Sequence, residues 1–409
     1  MIYVAILGHG TVGSGVAEIL INHNDRICEK IKDSIAVKYI LELRDFSNLS
    51  YSDKFCKDFE KILNDNEVKI VAEVMGGIHP AYDFVKSCLK SGKSVVTSNK
   101  ELVAQKGAEL LKIASENGVN FLFEASVGGG IPILRPMAQC LAANDINSVT
   151  GILNGTTNYI LNKMIVDSMD FNTALELAQK KGFAEKDPTA DIEGHDTCRK
   201  ICILASLAFG KHVYPDQVKT QGITSITLDD VAYAEKFNYA IKLIAKAKKQ
   251  SGGKISAVVA PMLVSYDSIL SRVDGVFNAI VVNGDATGDV MFYGKGAGKM
   301  PTASAVVADI IDCAKHLHAR KCFDWKDGES DYVIDDIGKE RFYVIVKSHN
   351  FAELKDSFDT AFPDNRLNIK NEPSGEIAFI TDEDYESEIN KKLDLIKYEN
   401  IKTIKLLSK

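Results

Sequence analysis

The sequence predicts an α/β protein: a doubly wound parallel sheet, then an α+β domain, then a small βαββαβ unit. Three observations lead there. An apolar strand at the N-terminus runs straight into a glycine-rich turn and a helix. Strand-like runs then alternate with helical patterns as far as residue 124, the order that buries a parallel sheet between helices. Residues 341–409 read strand, helix, two strands, helix, strand, which is a ferredoxin-like order.

The elements follow in turn. Residues 2–7 (IYVAIL) form a continuous apolar run of the kind buried on both faces of a parallel sheet. The run has no basic flank and is too short for a signal peptide, so it reads as a first strand. Gly8-x-Gly10-x-x-Gly13 follows, and SGVAEILI continues as a helix. Strand, GxGxxG and helix in that order are a Rossmann-type dinucleotide fingerprint. Gly8 serves the tight turn, Gly10 the approach of a pyrophosphate, and Gly13 the close packing of helix on strand. The helix N-terminus offers unpaired N–H groups to the anion. The next strand, Ala36–Leu43, ends in Arg44-Asp45. An acid there bonds a ribose 2′-hydroxyl, whereas an Arg holds a 2′-phosphate. Arg44 therefore favours NADP, while Glu42 and Asp45 leave NAD open. Further strands are expected at Lys69–Val74, Lys93–Thr97 and Val119–Glu124, with helices at Ala81–Ser91 and Glu101–Asn117. Lys100 and Glu124 fall at strand ends, where ligands of such sheets gather; taken alone, each reads as a solvated terminal charge.

Composition bounds the class. The 409 residues suggest two or three domains. A 45% hydrophobic and 26% charged chain is ordinary globular material. A net charge of −7 argues against a nucleic-acid partner. The ten-residue apolar stretch Ile255–Val264 is too short for a bilayer span, so no membrane partner is expected. Eight scattered cysteines without a CxxC pair suit a reducing cytoplasm. Cys198 and Cys202, one helical turn apart, lack sequence-near partners for zinc.

At Ala125 the texture changes to ASVGGGIPILRPM, a loop inviting close backbone approach to a ligand or ion. GILNGTTNYILNKMI (151–165) reads as a strand, a polar turn and a helix. In KKGFAEKDPTADIEGHDTCRKICILA (180–205), Asp191 is expected to cap a helix that places Asp196 and Lys200 on one face. Alone, that pair is a surface i,i+4 ion pair worth a few tenths of a kcal/mol.

Together these stretches resemble the homoserine dehydrogenases. The resemblance rests on GHGTVGSGV (8–16), TSNKE (97–101) and EASVGGGIPI (124–133). It continues through GILNGTTNYI (151–160), GFAEKDPTADIEGHDTCRK (182–200) and YGKGAGKMPTASAVVAD (293–309), in family order over about residues 1–320. It implies reversible NADPH- or NADH-dependent reduction of L-aspartate 4-semialdehyde to L-homoserine, in threonine and methionine biosynthesis. Lys200 is implied as proton donor and acceptor, with Lys100 at the cofactor–substrate junction. Glu185 and Asp196 are implied to hold the substrate, with Asp191 beside them. The nucleotide is expected on Gly8, Gly10, Thr11, Val12, Gly13, Arg44, Ser98, Lys100 and Gly296. The carboxylate of Glu124 and the carbonyls of Val127, Gly129 and Ile131 are implied ligands of a monovalent cation, sodium. The family often has Ala where Gly129 stands. The YGKGAG loop (293–298) returns to the nucleotide, followed by a helix over Thr302–His318 that packs on the first domain. GKGAGK lacks the Ser or Thr of a Walker A loop, which excludes an ATPase. His195 adjoins Asp196 but is expected to point elsewhere.

The expected division is 1–128 for the nucleotide domain, with 296–320 packing back on it, and 129–320 for catalysis and dimerisation. Residues 321–340 read as a polar linker and 341–409 as a unit placed like the regulatory ACT domain of longer homoserine dehydrogenases. The turn Ser348-His349-Asn350-Phe351 lacks the Asp-x-Pro-Gly pattern of amino-acid-binding ACT modules, so threonine control and pure assembly both stay open. A homodimer or higher homo-oligomer is expected. Two rival readings remain. A phosphorylating semialdehyde dehydrogenase needs a cysteine nucleophile, and Cys140 lacks the setting. A non-catalytic NADP sensor has no use for Lys100, Glu185, Asp196 and Lys200.

Overall fold

The computed structural model describes residues 1–320, 323–335 and 338–407. The first sheet is made of β1 (Ile2–Leu7), β2 (Ile35–Leu41), β3 (Phe55–Cys56), β4 (Val68–Glu73), β5 (Ser94–Thr97) and β6 (Phe121–Leu122). Its strands run parallel in the order β3-β2-β1-β4-β5-β6. The order reverses direction between β1 and β4, which opens a crevice beyond their carboxyl ends. Helices cover both faces, so β1, β4 and β5 are buried almost throughout, as their unbroken apolar runs require. The strand expected over Val119–Glu124 shortens to β6. Glu124 leaves the sheet into a single helical turn, Glu124–Ser126.

The second sheet gathers β7 (Ile146–Ile152), β8 (Lys219–Thr220), β9 (Tyr239–Lys249), β10 (Ile255–Ser265), β11 (Phe277–Gly284) and β12 (Gly288–Lys295). It then continues into β13 (Phe342–Lys347), β14 (Asn368–Asn371), β15 (Glu376–Ile380) and β16 (Asn400–Leu406). The order is β12-β11-β7-β9-β10-β16-β13-β15-β14, with β8 also on β10. The YGK of the second glycine loop is thus the end of β12, and the helix after it starts earlier than expected, at Lys299–Lys315. That helix lies on Thr11–Asn22, where a Cβ on Gly15 would come within 2.8 Å of the Ala303 Cβ.

The C-terminal βαββαβ unit is not a bead on a string. Its last strand pairs parallel with β10, Met262 opposite Lys405 and Leu263 opposite Leu406. Alternation in β13 explains the seam. Phe342, Val344 and Val346 face a local core with Leu354, Phe358 and Ile389, under the helices Phe351–Ala361 and Glu386–Leu393. Tyr343 faces the other way, into the main core with Ile404 and Leu406. Across the seam, Tyr233 Oη donates to Glu376 Oε2 at 3.0 Å, and Lys402 pairs with Asp230.

The stretch read as a polar linker is packed. Residues 321, 322 (a cysteine), 336 and 337 lie outside the described residues. Phe323 and Trp325 are buried against Phe123, with ring centroids 5.2 and 5.5 Å away. Trp325 Nε1 donates to His212 Nδ1 at 2.8 Å, and His212 Nε2 donates to the Ala104 carbonyl at 2.9 Å. Two aromatics among charges were the overlooked sign of burial. Among the described residues, no helix is long and apolar enough to cross a membrane.

Candidate active site

The nucleotide turn sits where β1 meets the crevice. Gly8 has φ +97°, a left-handed value that glycine adopts without strain. A Cβ on Gly13 would lie 2.0 Å from the Gly8 carbonyl oxygen, whereas one on Gly10 would meet nothing within 4 Å. Gly13 is therefore closed by packing, and Gly10 leaves open room. Thr11 and Val12 begin the helix Thr11–Asn22, whose Gly10 cap supplies no side-chain acceptor. Its first N–H groups remain for an anion. These residues fit a dinucleotide pyrophosphate.

Arg44 stands beside this turn. Its Nη2 donates to the His9 carbonyl at 3.2 Å and to Glu42 Oε2 at 2.8 Å, and the guanidinium lies 5.3 Å from the Phe46 ring centroid. Glu42 also accepts the His9 N–H at 3.0 Å. The Arg44 hydrogen bonds, above all, hold the Glu42 carboxyl down at about 2. The acid at the strand end is thus neutralised by Arg44, and the guanidinium stays largely exposed. Ser98 follows β5 and donates its N–H to the Glu73 carbonyl at 3.4 Å. Gly296 is buried, and a Cβ there would strike the Asn278 amide at 2.0 Å.

The second cluster forms where two helices meet. Asn99 caps Lys100–Glu116 by accepting the Leu102 N–H, so Lys100 is the first helical residue. Facing it is His195–Phe209, which starts differently from the sequence expectation. Asp191 is not its cap. A short turn, Thr189–Ile192, ends at Gly194, whose φ of +82° turns the chain into the long helix. Asp196 and Lys200 then share one buried face, and His195 points out. Lys100 Nζ reaches Asp196 Oδ1 at 2.7 Å, and Lys200 Nζ reaches Asp196 Oδ2 at 2.7 Å. Lys200 also donates to the Leu153 carbonyl at 2.8 Å. One carboxylate therefore holds two ammonium groups. Arg199 and Glu101, 3.0 Å apart, tie the same two helices beside it.

The electrostatics separate the lysines. Burial pushes Lys200 below the usual lysine range, Lys100 adding to the shift against the pull of Asp196. Lys100 is partly exposed and is raised by the charge of Asp196. Burial works against ionised Asp196, but the two lysines overcome it and hold the carboxyl below its ordinary value. Asp191 is raised by burial and by Asp196. Glu185 is exposed, and among the described residues no side chain bonds its carboxylate to this cluster.

The glycine-rich loop divides the expected cation ligands. Glu124 is buried, and its carboxylate accepts the N–H groups of Ile133, Leu134 and Arg135 at 2.6, 2.8 and 2.8 Å. Three of about four acceptor sites are therefore taken. The carbonyl oxygens of Val127, Gly129 and Ile131 accept no hydrogen bond among the described residues. Such bare oxygens suit a hard cation. Gly129 has φ +57°, and a Cβ there would lie 2.4 Å from the Gly296 carbonyl oxygen, so alanine does not fit in this chain. Behind the loop, fully buried Asp309 accepts the Glu124 N–H at 2.9 Å and pairs with Arg135. Burial, with Glu124 adding and Arg135 opposing, pushes the Asp309 carboxyl up to about 7.

Two family models match the chain. Homoserine dehydrogenase matches residues 132–311, and the homoserine dehydrogenase NAD binding domain matches residues 8–124. The homoserine dehydrogenase of Synechocystis sp. is 44% identical over 316 residues, 76% of this chain and 72% of that one. The chain belongs to the homoserine dehydrogenase family. It is an oxidoreductase with a nicotinamide cofactor and a small-molecule substrate. The crystal structure of a homoserine dehydrogenase from Thiobacillus denitrificans has a TM-score of 0.88 and 32% identity, covering 100% of this chain and 98% of that one. A hyperthermophilic archaeal homoserine dehydrogenase mutant in complex with NADPH has a TM-score of 0.65 and 29% identity. That match covers 98% of the archaeal chain and 76% of this one.

Sequence reasoning missed Asn154 in this cluster. Its Nδ2 donates to Asp191 Oδ1 at 2.7 Å and to Asp196 Oδ2 at 2.8 Å. An Asn after a strand, three residues before Thr157, was a readable helix cap. Its bonds to Asp191 and Asp196 were not readable.

Proposed function

We propose that this chain catalyses the reversible reduction of L-aspartate 4-semialdehyde to L-homoserine, with NADPH preferred over NADH. The observation that carries the reading is one buried carboxylate, Asp196, holding two lysines of which only Lys200 is pushed toward neutrality. A bound reduced nicotinamide supplies the hydride for the aldehyde carbon. Lys200 Nζ gives its proton to the emerging alkoxide and recovers one from water, and in the oxidation direction it takes that proton as base. Groups whose surroundings push their pKa values apart divide acid–base from electrostatic work. Lys100 accordingly stays charged and polarises the carbonyl. Asp196 has both oxygens occupied and orients the lysines. Asp191 and exposed Glu185 are the acids left to take the substrate ammonium.

Gly8, Gly10, Thr11, Val12, Gly13, Ser98 and Gly296 are proposed to line the cofactor, and Arg44 to take the 2′-phosphate. The carbonyls of Val127, Gly129 and Ile131, with the remaining acceptor site of Glu124, are proposed to hold a structural monovalent cation, sodium. The domain limits are proposed as 1–128, 129–320 and 341–409, joined by 321–340. The strand order β16-β13-β15-β14 with two helices on one face supports an ACT-like reading of the last unit. A homodimer is the proposed assembly, tested by sedimentation velocity, where a single monomeric boundary at micromolar protein overturns it.

The activity test is NADPH oxidation on adding L-aspartate 4-semialdehyde without phosphate; no turnover by folded protein overturns the reading. Arg44→Ala is expected to raise KM for NADPH at least about tenfold, the cost of one charged hydrogen bond, and to leave KM for NADH unchanged. Equal changes for both cofactors remove Arg44 from the 2′-phosphate.

A further inference from the structure

We propose that Asn154 is a positioning residue of this active site, fixing Asp191 and Asp196 relative to Lys200 through its side-chain amide. The inference rests on the reading of Asp191, Asp196 and Lys200 as site residues.

A side-chain amide has two donor hydrogens and a two-lone-pair oxygen, and Asn154 uses both donors and the oxygen. Nδ2 donates to Asp191 and Asp196. Oδ1 accepts the Thr157 N–H at 2.9 Å, and the Thr157 hydroxyl lies within reach of both Oδ1, at 3.1 Å, and the Asn154 carbonyl, at 3.2 Å. The reverse orientation would aim the carbonyl oxygen at two carboxylates, so the partners themselves fix the amide. Asn154 is 5% exposed, and buried amides with every group satisfied hold one geometry. Its neighbour, Leu153, accepts Lys200 Nζ through the carbonyl. Residues 153 and 154 thus hold the base on one side and both acids on the other.

The placement has a chemical reason. Asp191 and Asp196 are like charges that raise each other's cost of ionisation. A shared N–H donor lowers that cost without adding a cation, which would compete with the substrate ammonium. It also takes up part of the Asp196 Oδ2 charge facing Lys200. Without it, Asp196 acts more strongly on Lys200, and the lysine holds its proton to higher pH. The charged groups facing Lys200 are Asp196, Lys100 and Asp191, so this change lies within a named set.

The test separates positioning from capping, because Asn154 also caps Gly155–Asp167. Asn154→Ser keeps a cap oxygen and loses the amide donors, and Asn154→Asp keeps both the cap and the volume. Both are expected to lower kcat/KM for the semialdehyde at least about tenfold. The alkaline limb of the reduction profile is expected to move to higher pH, with KM for NADPH unchanged. A capping role alone predicts wild-type kinetics and profile in Asn154→Ser, whereas Asn154→Asp also sets a third carboxylate against Asp191 and Asp196. Wild-type kinetics and profile in either folded variant overturn the proposal, and Asn154→Asp still allows that outcome if Asn154→Ser does not fold. Asp196→Asn is assayed alongside. Wild-type kinetics there overturn the site reading itself; an impaired Asp196→Asn beside unimpaired Asn154 variants overturns only the role of Asn154.

Discussion

Lys200→Ala is expected to lower kcat for semialdehyde reduction by at least about 100-fold, the floor for losing a general acid, with KM for NADPH unchanged. Lys200 is the lysine of the pair that burial moves down, with Asp196 and Leu153 aiming its Nζ. With Lys200 as the proposed proton donor, reduction needs it protonated, so the wild-type rate is expected to fall as pH rises through its lowered pKa. Homoserine oxidation needs the free amine and rises over the same interval. Lys200→Arg sharpens the point, because a guanidinium keeps the charge but does not release its proton. Steady-state rates in both directions check this. An arginine variant that oxidises homoserine normally leaves Lys200 with an electrostatic role only and passes the proton to Lys100 or water.

The second large effect is on stability. Above neutral pH, where the Asp309 carboxyl raised to about 7 is mostly ionised, Arg135→Met is expected to cost about 3–5 kcal/mol, the usual penalty for stranding one member of a buried ion pair. Asp309 lies fully buried with the Arg135 guanidinium and the Glu124 N–H as its partners. One substitution loosens the anchor between the glycine-rich loop and the helix Lys299–Lys315. Replacing both members, Arg135→Met with Asp309→Leu, is expected to recover most of the loss, since apolar residues of similar volume need no partner. Urea unfolding midpoints measure both. A loss below about 1 kcal/mol in the single variant means Asp309 carries its proton in the native state.

Legibility in the sequence followed distance along the chain. The first β–turn–α was readable because GxGxxG, the strand before it and the helix after it lie within residues 2–22. The βαββαβ order was readable for the same reason, since β13 to β16 alternate over short spans. Asp191 misled because Gly194, three residues on, makes the real turn with a left-handed backbone. The ion-pair hub joins Lys100 to Asp196 across 96 residues, and nothing local in either helix announces it; only the family resemblance brought the two together. Asn154 meets its acids 37 and 42 residues away. Glu124 looked like a free carboxylate because backbone N–H groups carry no sequence signature. Phe323 and Trp325 were hidden by the charges around them.

The two-residue register between β10 and β16 also bears on how the chain is made. One edge of β10 is covered by β8 at Val258 and Val259, and by β16 at Met262 and Leu263. Ribosomes add roughly 5–20 residues per second, and well over a hundred residues separate Leu263 from Leu406. For some ten seconds of translation, the nascent catalytic sheet carries half an open edge of buried-type residues. Until β16 arrives, the backbone groups it pairs with at Met262 and Leu263 have no strand partner on that edge.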